Sequence, residues 1–141
     1  MYYLKTEQCF DSAHFLKNYP GKCGNLHGHR WRVIVEISGN KLNGSGQTEG
    51  MLIDFIELKN VLKDICDNLD HCLIYESGSL HPETVIALKA ENFRLMEVPF
   101  RPTAENFAKY FYQEIADHNY HPHRVEVYET PENCAAYEED E

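Results

Sequence analysis

Positive charge is scarce in this chain: 13 Lys and Arg stand against 23 Asp and Glu, for a formal net charge of −10. An acidic surface gains nothing from counterion release, so neither nucleic acid nor an anionic membrane is expected as a partner. No apolar run is long enough to span a bilayer, and no basic leader with an apolar segment and cleavage site opens the sequence. Paired CxxC motifs are missing too. The cysteines at positions 9, 23, 66, 72 and 134 are odd in number and scattered, which fits reduced thiols and a cytoplasmic location. Repeats and interdomain linkers are equally lacking.

What is present suits one folded domain over residues 1–141, with 43% hydrophobic and 12% aromatic residues to build a core. The opening MYYLKTEQCF is rich in β-favouring types and reads as a strand, and residues 15–26, with Asn, Pro and two Gly, read as a loop. From Trp31 the segment WRVIVEI alternates, placing Trp31, Val33, Val35 and Ile37 on one face of a second strand. The glycine-rich stretch 39–50 lacks the spacing of a phosphate loop and reads as a hairpin or crossover connection. Asp54 then caps a helix over 54–69, with Glu57 placed as in a capping box and Phe55, Leu58, Val61, Leu62, Ile65 and Leu69 at helical spacing. A short helix is expected after His81-Pro82 and a strand within 93–100. Thr103 caps a further helix striped by Ala104, Phe107, Ala108, Phe111 and Ile115. Strands at 124–130 and 134–139 close the chain before a solvated acidic end, EEDE. The order predicts an α+β fold, an antiparallel sheet with two main helices on one face.

The segment CGNLHGHRW at 23–31 carries most of the chemistry. His27 and His29, two apart, leave the same face of a strand that starts at or before His27. If the first two strands pair around the 15–26 loop, His14, just after the first strand, lands beside them. Gly28 lets the backbone between the two imidazoles approach a neighbour. Three neutral imidazoles are a common catalytic zinc set that leaves a position open, whereas a structural zinc is closed by four ligands. An HxH pair alone is equally compatible with surface histidines, and His121 and His123, flanking Pro122, read as exposed loop residues.

Cys23, four residues before His27, is a fourth zinc ligand, an inert thiol, or a reactive thiolate favoured by Lys22 and a nearby metal. Asp70-His71 directly follows the first helix. It is either a solvent-facing helix end or a carboxylate–imidazole pair suited to proton transfer. Glu129 is either solvent-facing or a buried acceptor for two parallel N–H groups such as a pterin edge presents. Thr103 and Glu105 can be plain helix-start residues.

In series, FDSAH (10–14), CGNLHGH (23–29), GMLIDFIELK (50–59), LDH (69–71), PTAEN (102–106) and VYET (127–130) resemble the 6-pyruvoyl-tetrahydropterin synthase family. Within it they most resemble the bacterial 6-carboxytetrahydropterin synthase branch of queuosine biosynthesis. The resemblance implies a tunnelling fold whose subunits close a barrel, as a hexamer or tetramer. It implies catalytic zinc on His14, His27 and His29, a proton-transferring Cys23, and Asp70 and His71 completing the acid–base set. Glu129 would anchor the pterin, and the segment holding Thr103 and Glu105 would line the same pocket across a subunit interface. The implied substrate is 7,8-dihydroneopterin triphosphate, converted to 6-carboxy-5,6,7,8-tetrahydropterin with release of acetaldehyde and triphosphate. The Cys-x3-His-Gly-His spacing matches the carboxy-forming branch. Residues 76–101 run longer than in the shortest members and bear on the pocket rim and the assembly.

Overall fold

The computed structural model describes residues 1–140, so the last residue of the acidic EEDE end lies outside the described residues. Six strands form one sheet in the order β4-β3-β1-β2-β5-β6. Its spine is the antiparallel pair β1 (Tyr2–His14) and β2 (His27–Gly39), in register from Tyr2 opposite Gly39 to His14 opposite His27. The β1 strand therefore runs through FDSAH, and His14 is its last residue rather than a residue beyond it. Helix α1 (Phe55–Leu69) follows the 40–54 connection, which is a crossover rather than a hairpin. Then come β3 (Leu73–Glu76), α2 (Pro82–Ala90), β4 (Leu95–Val98), α3 (Ala104–Asp117), β5 (Pro122–Tyr128) and β6 (Cys134–Tyr137).

The expected fold class holds, with one difference in the sheet. β2, β5 and β6 pair antiparallel, but β3 runs parallel to both β1 and β4, so the sheet is mixed. β3 was not foreseen: four residues are too short to display a period, and Ile74 and Tyr75 are both buried, so no alternation marks it.

Both main helices begin as their sequences predict. The Asp54 carboxylate accepts the Ile56 N–H at 2.8 Å, and the Thr103 hydroxyl accepts the Asn106 N–H at 3.3 Å. α1 buries Leu58, Leu62, Ile65 and Leu69, although Phe55 of its expected stripe is exposed; α3 buries its whole predicted stripe. α1 packs on β1 and α3 on β5 and β6, covering one face of the sheet. That face holds Val33, Val35, Val125 and Val127 and an aromatic cluster in which Phe10 stacks on Trp31 and meets Phe107 edge-on. Truncating such a ring to Ala costs about 3–5 kcal/mol, so this cluster ties the far end of β1 and β2 to α3.

A candidate metal centre on the β1–β2 pair

On β1 the even positions Phe10, Ser12 and His14 face the helices, and on β2 the odd positions His27, His29 and Trp31 do the same. The register sets His14 directly opposite His27, with His29 one step along the same face opposite Ser12. Glu129 joins from the third strand. It extends the core-facing series Val125 and Val127 one step past the end of β5, which turns its carboxylate inward. One ligand atom from each of His14, His27, His29 and Glu129 falls in a group no wider than 4.8 Å.

The protons in this group are dictated by main-chain carbonyls. His14 Nδ1 donates to Pro102 O at 2.7 Å, and His27 Nδ1 donates to Asn25 O at 2.6 Å. A carbonyl oxygen only accepts, so both Nδ1 atoms carry hydrogen and both neutral rings present bare Nε2 lone pairs. Those two Nε2 atoms lie 3.1 Å apart. Glu129 Oε1 adds negative charge 3.3 Å from His14 Nε2 and 3.0 Å from His29 Nε2. His29 Nε2 is buried without an aligned hydrogen-bond donor or acceptor, as are Ser12 Oγ and Trp31 Nε1 close by. Burial pushes the His14 and His29 imidazoles below their ordinary range, which favours the neutral rings. Lone pairs and a carboxylate converging on one point are mutually repulsive unless a cation lies among them. Three imidazole nitrogens and a carboxylate oxygen are hence a donor set that could hold a divalent metal ion.

Gly28 makes the β1–β2 approach possible here: a Cβ on it would sit 3.3 Å from Ser12 O. Trp31 walls the inner side, its ring 4.9 Å from that of His14 and 5.4 Å from that of His29. On the outer side Glu129 and His29 also line a cavity of about 330 Å³ with Cys9, Arg32, Tyr128 and Thr130.

The other predicted site residues lie elsewhere. Cys23 sits in a short 3₁₀ turn (Lys22–Gly24), half-buried and outside the group of possible metal ligands. Asp70 and His71 bond directly, Oδ2 to Nδ1 at 2.8 Å, beside Asp11 and Arg30. The Asp11 and Arg30 side chains point away from the helices, and His71 lines a cavity of about 640 Å³ with them and with His29. Thr103 is occupied as a helix cap and Glu105 is exposed. Of Arg30 and Arg32, two of the basic residues nearest the motif, each already pairs with a carboxylate, Asp11 and Glu7 respectively. The carbonyls of Asn25 and Pro102 were not foreseen, because a main-chain oxygen has no signature in residue type.

The sequence pattern of 6-pyruvoyl tetrahydropterin synthase matches residues 3–140. The chain belongs to that family. It is 37% identical to a protein of Haemophilus influenzae named 6-carboxy-5,6,7,8-tetrahydropterin synthase, over 99% of this chain and all of that one. Among solved structures, an uncharacterized protein of Wolinella succinogenes superposes with a TM-score of 0.75 at 21% identity, covering 99% of this chain and 98% of that one. The 6-pyruvoyl tetrahydropterin synthase of Caenorhabditis elegans superposes with a TM-score of 0.68 at 22% identity, covering 99% and 96%. The architecture is thus the tunnelling fold of this family, and no helix among the described residues is long and apolar enough to cross a membrane.

Proposed function

We propose that this single-domain chain is a zinc-dependent lyase that converts 7,8-dihydroneopterin triphosphate and one water to 6-carboxy-5,6,7,8-tetrahydropterin, acetaldehyde and triphosphate, a step of queuosine biosynthesis in the cytoplasm. The observation that carries this reading is the inward-facing imidazole trio, in which carbonyl-bound Nδ1 atoms turn the Nε2 atoms of His14 and His27 toward each other and Glu129 meets His29 Nε2. The Haemophilus relative, matched along its whole length, supports the carboxy-forming branch. His14, His27 and His29 would hold zinc, whose contribution when bound is to acidify and polarise the substrate side-chain hydroxyls.

The remaining work belongs to the chain itself. Glu129 stands between the imidazoles and the 330 Å³ cavity, and its carboxylate orients the pterin by accepting paired N–H groups. Cys23, free of the ligand group, takes a proton from the substrate side chain at Sγ. Asp70 fixes the His71 tautomer: Nδ1–H points at Oδ2, leaving Nε2 to accept and return protons. Because this pair lies outside the group of possible metal ligands, the complete site draws it from a second copy in a closed homo-oligomer, a tetramer or a hexamer. Thr103 and Glu105 then line that shared pocket.

A non-catalytic zinc module with Cys23 as fourth ligand is the competing reading, and the position of Cys23 outside the ligand group weighs against it. The test is anaerobic incubation with 7,8-dihydroneopterin triphosphate, with and without chelator, followed by acetaldehyde detection and mass spectrometry of the pterin. Metal-dependent acetaldehyde and a 6-carboxy product are expected. A pyruvoyl product would overturn the choice of branch, and an untouched substrate the lyase itself.

A further inference from the structure

α1 ends without a cation of its own. Its last turn carries no basic residue, and its final carbonyls have no partners further along the helix. The missing donors arrive from 24 residues further on: Arg94 Nη1 donates to Asp70 O at 2.6 Å, and Nη2 donates to Asp67 O and Asn68 O, both at 3.0 Å. One planar guanidinium thus gathers three main-chain oxygens from the final turn and cap of α1.

The residue held at the end of this clamp is Asp70, and the next is His71, whose φ of 53° is left-handed and uncommon for a residue other than glycine. The reversal is fixed by backbone bonds, His71 N–H to Asp11 O at 2.6 Å and Leu73 N–H to Arg94 O at 3.0 Å. Arg94 therefore grips the chain on both sides of His71, by side chain before it and by main chain after it. The Asp70 carboxylate completes the frame, Oδ1 accepting Asp11 N–H and Oδ2 accepting His71 Nδ1–H, both at 2.8 Å.

We propose that Arg94 is a positioning residue, which holds the Asp70–His71 pair in place through the α1 carbonyls, and that this is what the longer 76–101 segment contributes to the chemistry. The proposal rests on the reading of that pair as the proton carrier. A lysine cannot replace the fork, since a point-like ammonium does not span carbonyls set apart in one plane.

The test compares the parent with Arg94→Ala and Arg94→Lys, by steady-state kinetics, metal content and the ¹⁵N spectrum of the His71 ring. For Arg94→Ala we expect kcat to fall about 10- to 100-fold, the scale set by misplacing a catalytic group, with KM and metal content little changed. The His71 ring should pass from one Nδ1–H tautomer to an average of two. Arg94→Lys should recover only part of both, and it carries the test if Arg94→Ala does not fold. A folded variant with parental kcat, or with lowered kcat and an unaltered His71 spectrum, would overturn the proposal. If the parent itself does not turn over the pterin, the lyase reading falls, while the ring spectrum still decides whether Arg94 fixes the pair.

Discussion

His14 Nε2 and His27 Nε2 face each other at 3.1 Å, and because each ring donates its Nδ1–H to a main-chain carbonyl, the neutral rings set lone pair against lone pair there. Such a contact needs a cation. The purified chain should bind about one zinc per copy, and His27→Ala should lose it. Zinc at 100-fold above its dissociation constant should stabilise the metal-free protein by about 2.7 kcal/mol. Thermal melts with chelator and with added zinc check this, and a melting temperature indifferent to both would count against the site.

The five thiols divide by burial. Burial pushes the Cys66 thiol up to about 12 and the Cys72 thiol up to about 11, so both should resist alkylation at pH 8 in the native state. Cys9 is exposed and should label readily, exposed Cys134 more slowly because partial desolvation pushes its thiol up as well, and half-buried Cys23 should label with loss of turnover. Cys23→Ala should keep its zinc and lose turnover by about 10²-fold or more, as for removal of a proton-transferring group. Loss of metal in that variant would instead make the sulfur a ligand.

Glu129→Gln should weaken pterin binding while three imidazoles retain the metal. Replacing a charged acceptor by an amide that sets a donor against donors costs about 1.5–3 kcal/mol, which predicts KM raised roughly 10- to 150-fold. An unchanged KM would remove Glu129 from the pocket.

Acid should loosen the frame around His71. The Arg30 guanidinium holds the Asp11 carboxyl below the usual carboxylate range, and the Asp11 N–H does the same for Asp70. Both groups are thus easier to ionise folded than unfolded. Their contribution is complete above the unfolded value of about 4 and is lost as pH falls through the lower folded values. Asp70→Asn should therefore narrow the gap in melting temperature between pH 6 and pH 3. A gap equal to the parent's would show that the frame carries no such linkage.

If the pair and the imidazoles act from different copies, two dead variants should complement. Mixed oligomers of His27→Ala and His71→Ala, refolded together, should regain a fraction of parental turnover, because some interfaces combine two intact halves. Silence of the mixed oligomers would return the whole site to one chain.

Much of this molecule was written along its length. Two helices with their caps, the alternating face of β2 and the HxH spacing are local patterns of period and residue type, and local patterns survive reading in one dimension. The sequence also supplied the candidate ligands His14, His27 and His29 and the adjacent Asp70 and His71. Tertiary structure alone decided the rest. It paired His14 with His27 through strand register, turned Glu129 inward past the end of β5, and set carbonyls of Asn25 and Pro102 against ring nitrogens. It also brought Arg94 back to the end of α1 and built β3 into a mixed sheet. These depend on contacts between segments far apart in the chain, and on main-chain groups that every residue shares, so no residue type announces them.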